Sequence, residues 1–181
     1  MTTAEVKQTS NGTAAHVDDV LQLVSFRLED EEYGIEILRV QEIIRRQELT
    51  RVPNAPQYVE GVINLRGKVI PVIALRKRFG LPGRDQDKHT RIVVSEVGGT
   101  VVGFEVDAVS EVLRIRRVTI EPPPWVSRVD RDFIGGVGKL EGRLLILLNL
   151  ESFLAHFKFQ SAARDASHAE IPLPEPESVP A

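Results

Sequence analysis

Apolar and polar residues alternate with a period of two through much of the chain. Val24, Phe26 and Leu28 interleave with Ser25, Arg27 and Glu29, the pattern of a strand with one face buried. Leu21 and Leu23 fall on the opposite parity, which predicts a bulge or a change of face near Val24. Two β-branched runs, Arg91–Val97 and Val101–Val106, are split by Gly98-Gly99 and predict a hairpin. Val69–Leu75 and Leu144–Leu148 are almost continuously apolar, as buried strands are. Pro71 cannot donate a ladder hydrogen bond, so it is expected at an edge or a bulge. Helical spacing is scarce. Leu150, Phe153, Leu154 and Phe157 recur at i, i+3, i+4 and i+7 and predict a helix from Leu150 to about Phe159, with Asn149 as N-cap. A shorter helical segment, Leu75–Phe79, is stopped by Gly80 and Pro82. The pattern predicts a mostly β fold.

The chain also repeats itself. GIEILRVQEII (34–44) lines up with GFEVDAVSEVL (103–113): of 11 columns, four are identical and four more are apolar in both. YVEGVINLRGKVIPVIAL (58–75) lines up with FIGGVGKLEGRLLILLNL (133–150), and each copy runs into an amphipathic helix. The offset grows from 69 to 75, which puts six extra residues in the second copy around Pro122-Pro123-Pro124-Trp125. Such self-similarity marks a structural unit used twice. Copies at approximately 21–80 and 91–157, each with about five short strands, predict a pair of small β-barrels with a groove at their junction. Units this small are marginal alone, so the two are expected to pack on each other. Residues 1–19 and the Pro- and Glu-rich 161–181 lack apolar periodicity and are expected to be a disordered leader and tail around an ordered 20–160.

Composition narrows the function class. Cysteine is absent, which removes disulfides and thiolate metal sites. A net charge of −3 lacks the basic excess of most nucleic-acid binders. No apolar run approaches the ~20 residues of a membrane span, and the N-terminus has no secretory signal pattern; a soluble cytoplasmic protein is expected. Candidate chemistry is sparse. Gly135-Gly136-Val137-Gly138-Lys139 fails the phosphate-loop pattern at Phe133 and Leu140, and turn geometry explains it better. His16, His89, His156 and His168 show no metal-ligand spacing and no nucleophile motif. The basic clusters Arg76-Lys77-Arg78 and Arg114 with Arg116-Arg117 allow the alternative of a small-barrel nucleic-acid binder. No strand carries the interleaved exposed aromatics that would support it, and solvated faces are the simpler reading. Glu36, Glu42, Glu105 and Glu111 recur at repeat positions, which points to a structural role such as receiving backbone N–H groups at a turn. Val40, Ile43, Val109 and Val112 read as core, or as lining of the inter-barrel groove.

At EEYGIEILRVQEI followed by VINLRGKVIPVIAL, and again through VVGFEVDAVSEVL and GKLEGRLLILLNLESFL, the sequence resembles the CheW family of bacterial chemotaxis coupling proteins, over about residues 20–157. The resemblance implies two packed five-stranded SH3-like barrels, no enzyme activity and no cofactor. It implies an adaptor whose partners are the cytoplasmic tip of methyl-accepting receptors and the regulatory domain of a CheA-type histidine kinase. The place of action would be the cytoplasm, at membrane-associated receptor arrays. The phosphoacceptor and ATP-binding domains of the kinase, and the receiver domain of CheV-like proteins, have no counterpart expected here. Carried over by motif, the receptor-side positions are Val40, Glu42, Gly61, Arg66 and Val112, with Gly61 and Val112 acting through packing or contact. No kinase-facing residue is assigned. Arg66 stands out because the repeat puts Glu141 opposite it, so the shared corner does not itself require arginine. An internal ion pair with Glu42 is the competing explanation.

Overall fold

The computed structural model describes residues 19–123 and 131–155. Strands β1 (Val20–Leu28) and β2 (Glu31–Glu36) form a hairpin, and one 3₁₀ turn (Ile37–Arg39) leads into β3 (Val40–Arg45). A second hairpin, β4 (Val59–Leu65) and β5 (Lys68–Ala74), runs into the single-turn helix α1 (Leu75–Arg78). The order then recurs: β6 (Arg91–Val97), β7 (Thr100–Val106), β8 (Ala108–Arg116), a 3₁₀ turn (Arg117–Thr119), β9 (Ile120–Glu121), a 3₁₀ turn (Arg131–Phe133), β10 (Ile134–Leu140), β11 (Arg143–Leu148), and a helix beginning at Leu150.

The strands make two sheets, ordered β8-β1-β2-β11-β10-β9 and β3-β6-β7-β5-β4. Both close. In the six-stranded sheet β8 continues through Arg117–Thr119 into β9, so its two edges are one stretch of chain. In the five-stranded sheet the chain beyond β3 returns to β4, where Thr50 and Val62 exchange backbone hydrogen bonds of 3.0 and 2.8 Å. Closure leaves no open edge for another chain to pair with. The result is two small barrels, as the repeat predicts, of the SH3-like kind that the resemblance implies.

The barrels do not follow the borders of the copies, however, and the expectation of one barrel per copy is corrected. Hairpin β1–β2 of the first copy lies among β8–β11 of the second, and hairpin β6–β7 of the second lies among β3–β5 of the first. The exchange is symmetric to the residue. The parallel junction pairs Leu147 with Gly34 in one barrel and the repeat-equivalent Val72 with Gly103 in the other. The antiparallel junction pairs Val24 with Val112, and Val93 with Ile43. The physical reason lies in the connections. Only Ile37–Arg39 separates β2 from β3, and only Asp107 separates β7 from β8, so each strand passes almost straight from one barrel into the other.

Each barrel has its own core, Leu21, Leu23, Ile115, Leu145 and Leu147 in one and Ile63, Ile70, Val72, Ile92 and Val94 in the other. The largest cluster lies between them and joins Phe26 and Tyr33 to Ile73, Val93, Phe104, Phe133 and Phe153. α1 and the helix at Leu150 both bury their apolar sides there. Burial of this kind stabilises by about 25 cal/mol per Å² of apolar area, which is why neither exchanged hairpin is left exposed.

Local predictions mostly hold. The β1–β8 register slips between Val24 and Phe26, and Ser25 fills the bulge: its Oγ donates to the Glu111 carbonyl (3.1 Å) and accepts from the Glu111 N–H (3.3 Å). Gly98 and Gly99 both have positive φ in a two-residue turn between Val97 and Thr100. Asn149 caps the last helix, its Oδ1 accepting from the Ser152 N–H at 3.1 Å; the stretch from His156 to Phe159 lies outside the described residues. So do Trp125 and three of the four histidines. Pro71 differs from expectation. It lies in an interior strand, one residue before the parallel ladder to β7 begins at Val72, so an end of pairing accommodates it. The glycine-rich 135–139 stretch is strand β10, not a turn.

Candidate functional site

The corner between β4 and β5 is built by Asn64-Leu65-Arg66-Gly67-Lys68. Leu65 and Lys68 face each other in register, and both residues between them have positive φ, 53° for Arg66 and 82° for Gly67. Two left-handed residues match the twist of a tight hairpin. Asn64 Oδ1 holds the turn by accepting the Gly67 N–H at 3.0 Å. The Arg66 side chain therefore stands off the end of the barrel, 79% exposed, with its Nη2 3.2 Å from Glu42 Oε2 on β3.

The ion pair considered from sequence is thus present, and it joins two of the five carried-over residues. At that exposure it contributes roughly 0–1 kcal/mol, too little to explain an arginine at a left-handed position. The second copy meets the same need differently. Glu111, the repeat equivalent of Glu42, is held by Arg143 Nη2 at 2.7 Å, and Arg143 also reaches Glu32 at 3.1 Å. Glu42 and Glu111 accept from guanidinium groups of the neighbouring corner and Glu105 accepts from Arg46, which corrects the expectation of backbone donors at these three positions.

Gly61 is a packing position. Its φ is +154°, and a Cβ there would sit 2.5 Å from the Thr50 carbonyl oxygen that closes the barrel. Its repeat equivalent Gly136 is likewise overrun, by Ile120 and by the Glu121 carbonyl at 3.0 Å. Val40 is half-buried against the inter-barrel cluster, and the register slip between Val40 and Glu42 breaks the alternation of β3 there, so that Val40 pairs with Ser95 and Glu42 with the next residue, Val94. Val112 lies on β8 of the six-stranded barrel and is 54% exposed, and its equivalent Ile43 is 40% exposed on the five-stranded one. Reading Ile43 and Val112 as core is therefore corrected. Val40, Glu42, Gly61 and Arg66 share one barrel; Val112 stands on the other.

The basic run on α1 is not a solvated face. Arg76 Nε donates to Asp107 Oδ1 at 2.7 Å, Lys77 pairs with Glu60 at 2.6 Å, and the Arg78 guanidinium lies 4.4 Å from the centre of the Phe133 ring. All three groups tie α1 to its surroundings, which removes one of the two clusters that the nucleic-acid alternative relied on. Asp107 was not singled out from sequence. It is buried at the point where the chain crosses between barrels, and its second oxygen accepts the Glu29 N–H at 2.9 Å. Burial alone raises its carboxyl. The Arg76 hydrogen bond, the Glu29 amide and the charges of Arg76 and Arg84 outweigh burial and hold it below the ordinary carboxylate value. A carboxylate ending the apolar run of β7 was the available signal. No described group of His, Asp or Glu is arranged to hold a metal ion.

Comparison with known proteins extends this picture. Residues 22–158 match the family model of the CheW-like domain. The chain is 41% identical over 137 residues to the chemotaxis protein CheW of Helicobacter pylori, covering 76% of this chain and 83% of that protein. It is 40% identical over 135 residues to that of Klebsiella aerogenes, covering 74% and 81%. Among solved structures it is similar to the scaffolding protein TtCheW of Thermoanaerobacter tengcongensis, with a TM-score of 0.70 at 41% identity, over 76% of this chain and 89% of the other.

Proposed function

The chain belongs to the CheW family, and we propose that it is a non-enzymatic scaffold coupling the cytoplasmic tip of a methyl-accepting receptor to the regulatory domain of a CheA-type histidine kinase. The observation that supports this reading is the Arg66 corner. A guanidinium held out from a tight hairpin, with the half-buried Glu42 as its one ion-pair partner among the described residues, can direct several N–H donors toward the carboxylates or carbonyls of a helical hairpin. Val40 and Glu42 on the adjacent strand supply an apolar contact and a charge partner. Val112 would extend the same contact onto the second barrel, whereas Gly61 serves only to let β4 pass beneath Thr50.

On this reading the protein works at the membrane without entering it. No helix among the described residues is long and apolar enough to cross a bilayer; recruitment to receptor arrays would rest on contacts with the receptor and the kinase. A pull-down of the purified chain against a CheA-type kinase and a receptor signalling fragment tests the proposal. Retention of both partners is expected. Retention of neither, with steeply salt-dependent binding to RNA or DNA, would favour the small-barrel nucleic-acid binder instead.

A further inference from the structure

An open cleft of about 470 Å³ is walled by Arg45, Arg46, Lys88, His89 and Arg91, with Asp87 as its one carboxylate. The chain carries a net charge of −3, so this local excess of cations runs against its overall balance. Asp87 does not neutralise it. Its oxygens accept the backbone N–H groups of His89 and Thr90 (2.7 and 3.2 Å) and the Arg84 guanidinium (2.6 Å), so its charge serves the loop. Arg46 is matched by Glu105 at 2.7 Å. Arg45, Lys88 and Arg91 have no carboxylate partner among the described residues.

The arrangement carries a cost. Arg45 and Arg91 are directly opposite each other in the β3–β6 ladder, and like charges at such a rung are destabilising. The fold does not require the pair, because the equivalent rung of the other barrel sets Arg114 opposite Gln22. Arg91 is also aimed: its Nη1 donates to the Lys88 and Thr90 carbonyls at 2.7 and 2.9 Å, which fixes one edge of the guanidinium.

We infer that this cleft is a docking site for an acidic segment of a protein partner, whose carboxylates would relieve the Arg45–Arg91 repulsion and engage Lys88. Planar guanidinium groups suit carboxylates in a bidentate geometry. A concave site fits an inserted segment better than a flat lipid surface, and its lining holds no Phe, Tyr or Trp on which a nucleotide base could stack, His89 being its one ring. The site is separate from the Arg66 corner and does not depend on the receptor reading.

Fluorescence anisotropy of a labelled decaglutamate peptide, titrated with the full chain at low salt, tests the inference. Saturable binding is expected, weakening at least tenfold in Arg45→Gln/Lys88→Gln and unchanged in Arg114→Gln. Because Arg45→Gln removes a repulsion, its Tm should hold or rise; a fall would show the rung to be structural. Lys88 lies in an exposed loop, so Lys88→Glu alone keeps the test decisive if the double variant misfolds. Equal binding by wild type and Lys88→Glu would overturn the site. Tripolyphosphate competing at matched charge with higher affinity than the peptide would overturn the choice of ligand. So would co-sedimentation with phosphatidylglycerol vesicles that the same substitutions abolish while the peptide fails to bind.

Discussion

Gly61→Ala separates a packing role from a receptor contact at the position where the two are most easily confused. The new Cβ would be placed 2.5 Å from the Thr50 oxygen and 3.0 Å from its carbonyl carbon, both backbone atoms that no side-chain rotation can move. Alanine would also have to adopt a φ of +154°, which costs on the order of 1–3 kcal/mol. Relief requires opening the Thr50–Val62 bridge, whose two hydrogen bonds contribute about 1 kcal/mol each. A loss of about 3–5 kcal/mol follows, a large part of the ~5–15 kcal/mol of a typical domain. Gly136→Ala meets the movable Ile120 side chain first and has no left-handed φ, so about 1–2 kcal/mol is expected. Urea titration with a common m-value reads both differences from the midpoints. A Gly61→Ala protein with unaltered stability but lost receptor coupling would refute the packing argument and return Gly61 to the contact surface.

Other outcomes follow from the same geometry. Asp107→Asn should cost about 3 kcal/mol at neutral pH, since it leaves Arg76 facing a neutral group in a buried pair. Because the folded carboxyl titrates below its unfolded value, its stabilisation is complete at neutral pH and is lost as the pH falls below about 4; thermal melts across that range should show a flatter acid limb in the variant. A fragment of residues 19–80 lacks the β6–β7 hairpin that completes its barrel, so it should be unfolded by circular dichroism alone and fold on mixing with 85–160. Deleting residues 1–18 and 161–181 should leave Tm and kinase binding nearly unchanged. The cut stops before Asp19, which the sequence had assigned to the leader but which pairs with Arg117 at 2.7 Å.

The repeat made the pair of barrels legible, because identical spacing in two copies demands two similar sheets. It could not reveal the exchange of hairpins. A strand buries the same alternate residues whether it closes its own barrel or its neighbour's, so the pattern around Val24 and Val93 is the same in both cases. Only the shortness of the Ile37–Arg39 and Asp107 connections distinguishes them, and their length depends on strand ends that periodicity places poorly. The corner carrying Arg66 was legible for a different reason: Leu and Gly persist in both copies while the charge reverses. Repeat comparison did less well for Glu42 and Glu111. Their partners come from different positions of the corner, Arg66 in one copy and Arg143 in the other, so aligned columns concealed a shared interaction.

Kinase autophosphorylation in a reconstituted mixture of receptor signalling fragment, CheA-type kinase and this chain tests the scaffold reading most directly. The wild-type chain should raise activity well above that of kinase with receptor alone. Arg66→Glu disrupts only a surface pair and should cost less than about 1 kcal/mol of stability, yet the receptor-dependent activation should fall sharply while the melt stays normal. Full activation by a folded Arg66→Glu protein would contradict the assignment of the corner, and no activation by the wild-type chain, with neither partner bound, would contradict the scaffold itself.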